Sequence, residues 1–533
     1  MAGSNLLIIA NLIADRMAEW PDRDVLTFEF QGQFESRTYR QLWENSQKIA
    51  AGLQAAGMKQ GDRFAILLEN HPEFVEMMIA SAILGTVFVP IDPRTRGAKL
   101  AYMLRDSGSK GVVCAPYSRA GVLEALVDSP GIAWIASLGA AAQGLPAAIA
   151  SFGLNNWLAA ACPQPEFEVA VTDETMPMQL MYTSGTTGDP KGIVIPHGRF
   201  GMVSGHGEAV FGYRAGDRPY TGLSLTHGNG QFVTLAPSLK MGLRAVISRK
   251  FTKSRLWDII RQQGCTTFSL LGGMVTAIFA EPVRDDDADN PVRLVVSAGM
   301  PANLWTEFER RYGLEVFEFY GAMEGGMSFK RPGEGPIGSC GRAAPGLVAV
   351  VTDEDGNEVP RGTSGELRFR LESGDFPPVT YVNNPEASTK KVQNGWLLSG
   401  DIVHMDEEGW IFYEYRKGGG LRRNGDFVSR AFVERALAEH PGVDDIFVYG
   451  VPASNGAPGE KDVVAAIVPL DEDCAPDLFA WAKDRLEANM VPTYIQFVDQ
   501  IPKTASEKPQ ERFLLDQFKA RNSRIYTIEG EFA

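Results

Sequence analysis

Residues 182–192 read Tyr182-Thr-Ser-Gly-Thr-Thr-Gly-Asp-Pro-Lys-Gly192, between the apolar runs Met178-Gln-Leu-Met181 and Ile193-Val-Ile195. The runs predict two strands and the segment between them a tight connection. Four hydroxyls, three glycines and one lysine are packed into this connection. Glycines let backbone N–H groups come close to an anion, hydroxyls donate to it, and Lys191 adds a point charge. The chemistry is that of a loop for polyphosphate. It is not the Walker A arrangement of Gly, four residues, Gly, Lys and then Ser or Thr. Counting from Gly185, the sixth position is Pro190, and Gly192 follows Lys191. A plain Gly/Ser/Thr-rich surface turn is the competing reading.

Helical and strand patterns alternate on either side of the loop. Tyr39 to Ala56 has an amphipathic helical period closed by Gly57, and Phe64-Ala-Ile-Leu-Leu68 reads as a strand. Pro72 to Leu84 is helical up to Gly85, and Val87-Phe-Val-Pro90 is again a strand. This alternation predicts an α/β architecture. Ala140 to Pro165 is rich in Ala, Gly and Pro, and is expected as a surface excursion. The sharpest boundary is Arg416-Lys-Gly-Gly-Gly420, where three glycines permit large backbone changes. Beyond it, a helix at Ala431–Glu439, strands near Ile446–Val451 and Val463–Val468, and a helix at Asp477–Glu487 make a unit of small-domain size. The expected division is a large N-terminal domain at 1–415, a hinge at 416–420 and a small α+β domain at 421–533.

At 533 residues, 44% hydrophobic and 22% charged, the chain matches an ordinary globular protein. Its net charge of −15 argues against a nucleic-acid surface. No apolar stretch is long enough for a membrane span. Met1 to Ala10 has no basic leader and reads as the start of a helix. Cys114, Cys162, Cys265, Cys340 and Cys474 show no metal or redox spacing, which fits free thiols in a reducing cytoplasm.

The phosphate loop resembles that of the adenylate-forming superfamily: acyl- and aryl-CoA synthetases, adenylation domains of peptide synthetases, and luciferases. Further matching segments follow in order: Leu223-Ser-Leu-Thr-His-Gly-Asn229, Ser297-Ala-Gly-Met-Pro301, Tyr320-Gly-Ala-Met-Glu324, Gly365-Glu-Leu367 and Tyr381-Val-Asn-Asn-Pro-Glu386. Gly395-Trp-Leu-Leu-Ser-Gly-Asp401, Arg416 with Arg422-Arg-Asn-Gly-Asp426, and Pro502-Lys-Thr-Ala-Ser-Glu-Lys508 complete the set. The general texture is similar to crotonobetaine/carnitine-CoA and fatty-acid-CoA ligases.

The resemblance implies a large multi-layer domain of mixed sheets and helices, and a small domain that rotates about a hinge at Gly418. It implies that Thr183, Ser184, Gly185, Thr186, Thr187, Gly188 and Lys191 hold the ATP phosphates. Tyr320 would stack on adenine, and Ser297, Gly299 and Gly321 would also belong to the cofactor-binding set. Asp401 would take the ribose hydroxyls with support from Arg416. Glu324 and Thr187 would hold Mg²⁺, and Lys508 would be the catalytic lysine. His227 would stand between the acid pocket and the thiol path, and Gly425 would let the pantetheine of CoA pass. Three residues depart from the family pattern: Met323 where threonine is usual, Gly418 where Asp or Lys is usual, and Glu507 where glycine is usual.

The reaction implied is a carboxylic acid plus ATP giving an acyl-adenylate and pyrophosphate, followed by CoA giving acyl-CoA and AMP. No aspartate stands in Leu223–Asn229 to hold an amino-acid amine, and only 25 residues follow Lys508. The expected partners are therefore a small-molecule acid, ATP and CoA, in the cytoplasm, with a homodimer left open. His227, Leu271–Met274, Ser297–Gly299 and Gly321–Gly326 are expected by position to line the acid pocket; their glycines suggest a medium, branched, aromatic or polycyclic acid over acetate, or else backbone strain or close packing. Two rival readings remain: an adenylating enzyme that loads a separate carrier protein, and a non-catalytic binding protein of the same fold.

Overall fold

The computed structural model describes residues 5–183, 189–353, 355–416, 421–423, 426–428, 430–454, 460–471, 473–502, 509 and 511–531. Within these residues the chain is mixed α/β, with a large N-terminal and a smaller C-terminal unit.

Among the described residues, two large sheets frame the N-terminal unit. One has seven strands and carries Pro177–Thr183 and Lys191–Pro196 at one edge. The other has nine strands and includes Leu294–Ala298 and Glu315–Ala322. Helices Ile9–Glu19, Tyr39–Ala55, Pro72–Leu84 and Ala236–Met241 join strands of both sheets in the main core. Pro72–Leu84 shows why this layer lies inside. Pro72 presets its first turn, nearly every side chain is buried, and Gly85 ends it at φ 67°. A helix apolar on all sides needs neighbours on all sides. Its one deeply buried acid, Glu76, accepts from Arg37 Nε at 2.7 Å and Asn45 Nδ2 at 2.8 Å. Tyr39–Ala55 starts at a capping box, in which Thr38 and Gln41 satisfy each other's backbone N–H.

A third sheet contains Leu347–Thr352, Gly365–Leu371, Trp396–Met405 and Ile411–Arg416. The smaller unit has its own sheet, in which Val443–Pro452 pairs with Lys461–Pro469 and Tyr494–Phe497 follows in parallel. Helices Arg430–Ala438 and Ala475–Arg485 pack on it around Val433, Leu437, Leu478 and Phe479. These elements lie within two or three residues of their expected bounds. One expectation needs correcting. The stretch Ala140–Pro165 carries the strand Ala150–Gly153, paired with Trp134–Ser137, and the helix Leu154–Ala159. No described helix is long and apolar enough to cross a membrane.

Candidate functional site

The strands Pro177–Thr183 and Lys191–Pro196 are antiparallel, and Thr183 is the ladder partner of Lys191. The segment read as a phosphate loop thus connects two antiparallel strands at a sheet edge, with Thr183 and Lys191 paired where it begins and ends. Ser184, Gly185, Thr186, Thr187 and Gly188 lie outside the described residues, as do Gly418, Gly425, Glu507 and Lys508. A short extended segment runs beside Lys191–Pro196. Val194 N–H donates to Thr380 O at 3.0 Å, and Val382 N–H donates to Gly192 O at 2.8 Å. The approach is close because Gly192 has no side chain. A Cβ there would stand 2.9 Å from Val382 Cγ1 and 3.1 Å from the Tyr182 ring. Tyr381 is thereby brought to the base of the loop, with Lys191 Nζ 5.7 Å from its ring centroid.

Tyr320 and Asp401 meet from different sheets. The Tyr320 hydroxyl donates to Asp401 Oδ2, and its ring stacks on Phe369 at 6.3 Å and 16°. Asp401 and Arg416 are ladder partners, with Arg416 Nη1 3.4 Å from Asp401 Oδ1. Burial raises the pKa of Asp401, while Arg416 and the Tyr320 bond pull it down. Ser297 is fully buried in the strand Leu294–Ala298, and Gly299 follows that strand at φ 95°. Gly299 N–H donates to Glu318 Oε1 at 2.6 Å, and Met300 N–H donates to the same carboxylate at 3.2 Å. Burial pushes Glu318 up to about 7, against these donors and Lys330.

Glu324 lies at the turn after Glu315–Ala322 and is 8% exposed. Its Oε1 accepts from the Tyr381 hydroxyl at 2.7 Å, and Lys391 Nζ stands 3.9 Å from the same oxygen. Lys391 also donates to Ser399 O at 3.0 Å, and burial lowers its pKa. Arg199 lies near enough for Glu324 to support its charge, although burial lowers its pKa. Arg199 Nε is buried with no hydrogen-bond partner among the described residues. Lys391 and Arg416 both interact with Glu324 and Asp401, Glu366 also acts on Lys391, and Arg199 lies beside Glu324.

His227 borders this ground on a loop held by Asn70. Asn70 Nδ2 donates to Leu223 O at 2.9 Å and Ser248 O at 2.8 Å, and its Oδ1 accepts from Leu225 N at 2.8 Å. His227 Nε2 is 3.8 Å from Asp92 Oδ2. Arg94 grips Asp92 with two bonds, at 3.0 and 2.7 Å. Burial alone would raise the pKa of Asp92; His227 and Arg94 outweigh it and hold the carboxyl well below the usual range. Met323 covers Gly228, where a Cβ would overlap its Sδ. The side chain that replaces the usual threonine is therefore packing material beside His227.

The smaller unit touches the same region. Its hairpin, Leu421–Arg423 with Asp426–Val428, brings Asp426 Oδ2 to 3.5 Å from Arg94. Arg422 points at the Gly299 turn, 3.8 Å from where a Cβ on Gly299 would stand.

Three glycines of the segments expected to line an acid pocket have their space filled by neighbours. A Cβ on Gly272 would strike Gly299 O, one on Gly325 would strike Phe376, and one on Gly326 would strike Phe369. At these positions close packing, not open space, explains the glycine. The sequence reading also gave no role to Asn70, Asp92, Arg199, Tyr381 or Lys391. Only Tyr381 lay in a segment already singled out. The others are single polar residues whose meaning depends on contacts distant in sequence.

The model of the AMP-binding enzyme family matches residues 13–373, and that of the AMP-binding enzyme C-terminal domain matches 433–508. The chain is 28% identical to a steroid-22-oyl-CoA synthetase of Rhodococcus jostii, over 90% of this chain and 88% of that one. It is also 28% identical to the fatty acid–[acyl-carrier-protein] ligase ScoC of Streptomyces coeruleorubidus, over 91% and 92%. Its fold is similar to that of o-succinylbenzoate CoA synthetase from Bacillus subtilis, with a TM-score of 0.80, 24% identity, and 95% and 98% of the two chains covered. It is likewise similar to the amide bond synthetase McbA from Marinactinospora thermotolerans, with a TM-score of 0.81, 23% identity, and 96% and 99% covered. With the main family model spanning more than half of its length, the chain belongs to the AMP-binding enzyme family.

Proposed function

We propose that this enzyme is an ATP-dependent acyl-CoA ligase. The observation that carries the reading is that two polar groupings lie side by side. Tyr320, Asp401 and Arg416 form one, suited to a nucleoside. Lys191, Glu324, Tyr381 and Lys391 form the other, suited to phosphates. Relatives named as CoA synthetases and ligases supply the acceptor.

In the first step the substrate carboxylate attacks the α-phosphorus of ATP, and the bond to pyrophosphate breaks. Positioning and charge neutralisation carry most of such a reaction. Lys191, with Thr183 and the loop residues 184–188, binds the β- and γ-phosphates, while Asp401 accepts from the ribose hydroxyls. Tyr320 has one ring face against Phe369 and offers the other to adenine. Lys508 neutralises charge at the forming adenylate. In the second step the CoA thiolate attacks the acyl carbon and AMP leaves, with Gly425 beside the thiol path and His227 between that path and the acid. The boundaries 1–415, 416–420 and 421–533, and a rotation about Gly418 between the steps, belong to the same proposal. So do a cytoplasmic setting and compatibility with a homodimer.

Mg²⁺ fits the donor set. Glu324 Oε1 takes the Tyr381 hydroxyl, and Oε2 accepts no hydrogen bond among the described residues. The described residues contain no cluster of three metal-ligating side chains. A cation held by one carboxylate, waters and substrate phosphates is the usual arrangement for Mg²⁺. When bound, it neutralises phosphate charge; Glu324, with Thr187, would hold it.

Similarity to ScoC favours a second reading, acyl transfer to a carrier protein. A panel of carboxylic acids with ATP, and either CoA or a phosphopantetheinylated carrier, separates the readings. Pyrophosphate and acyl-CoA mass are expected with CoA. Acyl-carrier without acyl-CoA would select the second reading, and no pyrophosphate with any acid would favour a non-catalytic binding protein.

A further inference from the structure

Tyr381 belongs to a segment that the reaction as described does not require, yet it touches both of the groups that face the phosphates. It is 6% exposed. Its hydroxyl donates to Glu324 Oε1 at 2.7 Å, and its ring centroid is 5.7 Å from Lys191 Nζ. Its backbone is fixed independently of either contact. Thr380 O and Val382 N–H bond to the strand that begins at Lys191, and Tyr381 N–H donates to Ser388 Oγ at 2.9 Å. Asn383 Nδ2 anchors the next turn on Asp106 O at 2.7 Å. The side chain thus stands on a rigid support between a carboxylate and an ammonium.

We propose that Tyr381 is a positioning residue for adenylation: its hydroxyl orients Glu324 toward the metal, and its ring seats Lys191 against the phosphates. The proposal rests on the roles given above to Glu324 and Lys191.

The hydroxyl is a neutral donor. It fixes Oε1 without adding to the positive charge that Lys391, 3.9 Å from the same oxygen, already brings, and Oε2 accepts no hydrogen bond among the described residues. The ring offers its electron-rich face to Lys191, which holds the ammonium without consuming it in an ion pair. A disturbance at Glu324 is then felt at Lys191 through one side chain.

The test uses the full-length enzyme. Tyr381→Phe keeps the ring and removes the hydroxyl, and Tyr381→Leu removes both contacts. Mn²⁺ binding is read by electron paramagnetic resonance with α,β-methylene-ATP present, so that no turnover is needed. Tyr381→Phe should weaken Mn²⁺ binding about 10-fold, the lower end of the loss expected for an outer-shell partner. The Mg²⁺ concentration that half-saturates adenylation should rise by a similar factor. CoA transfer from supplied acyl-adenylate should stay within about twofold, since neither contact faces that reaction. Tyr381→Leu should in addition raise the KM for ATP at saturating Mg²⁺.

Glu324→Gln is the control for the underlying assignment. If Glu324→Gln leaves Mn²⁺ binding unchanged, the metal role of Glu324 is wrong. If Glu324→Gln weakens Mn²⁺ binding and Tyr381→Phe does not, the positioning role of Tyr381 is overturned. The double variant should bind Mn²⁺ no more weakly than Glu324→Gln alone, because the hydroxyl acts through that carboxylate. Equal slowing of both half-reactions by Tyr381→Phe, with a lowered Tm, would mark Tyr381 as structural and sink the proposal.

Discussion

Asp401 is pulled in two directions. At 3% exposure its charge is costly, yet Arg416 and the Tyr320 hydroxyl both favour the ionised form. A carboxylate prepared in this way is a strong acceptor for a sugar diol. Asp401→Ala should raise the KM for ATP roughly 10- to 100-fold, the equivalent of one or two charge-assisted bonds. Normal ATP binding in that variant, measured by calorimetry, would remove the ribose assignment. Glu318 supplies a pH test. Its folded pKa of about 7 stands above an unfolded value of about 4.3. The folded state therefore holds this proton more tightly. The stability it contributes is complete below the unfolded pKa and is lost as pH rises to about 7. Glu318→Gln stays neutral, so its melting temperature should fall less than that of the wild type between pH 5 and pH 7. The two profiles running parallel would refute the shift. Residues such as Tyr320, Lys191 and Asp401 were legible because each lies in a dense local motif. Asn70 and Asp92 were not, because a lone Asn or Asp takes its meaning from a partner over a hundred residues away.

Among the elements, those with their own start and stop signals were readable. Pro72–Leu84 has Pro at its first position and Gly85 beyond its last, and Val87–Pro90 is β-branched and aromatic between turns. Ala150–Gly153 has neither signal and exists because Trp134–Ser137 offers it an edge. The glycines were ambiguous for a different reason. A missing side chain leaves a space, and only the neighbours decide whether that space is a pocket or is filled by Phe369, Phe376 or Met323. Gly192 is the case with most consequence, because the segment bearing Tyr381 lies against it. Gly192→Ala should push Val382 away from the strand Lys191–Pro196, with a cost of about 1–3 kcal/mol as for other overpacked sites. Val382→Ala should recover much of the loss by clearing the space that the new Cβ enters. Denaturant melts of the two single variants and the double variant test this. A double variant that merely sums the two losses would mean that the contact does not govern the packing.

Ion pairs join the two units. Lys99 Nζ reaches Glu487 Oε1 at 2.8 Å with both side chains mostly shielded, at 15% and 16% exposure. Arg94 faces Asp426 at 3.5 Å, and Arg435 faces Asp189 at 3.3 Å in more open surroundings. Exposed pairs contribute about 0–1 kcal/mol, so the shielded Lys99–Glu487 pair should dominate. These contacts hold Leu421–Arg423 and Asp426–Val428 near Asp92 and His227, the residue placed above between the acid and the thiol path. If the small domain alternates between two settings, the ion pairs favour the setting for CoA transfer and not the one for adenylation. A mutation here should therefore divide the two half-reactions. Lys99→Glu places a like charge against Glu487 and should slow CoA transfer from supplied acyl-adenylate by about 10-fold, equivalent to roughly 1.4 kcal/mol against that setting. Pyrophosphate release in the first half-reaction should stay level or rise, since the competing setting gains population. Combining Lys99→Glu with Glu487→Lys should restore transfer by rebuilding the pair with its charges exchanged. Rising salt should imitate the single variant in the wild type and have less effect on the variant itself. Equal loss of both half-reactions in Lys99→Glu, with no recovery in the exchanged pair, would mean that Lys99 and Glu487 stabilise the fold and do not select between orientations.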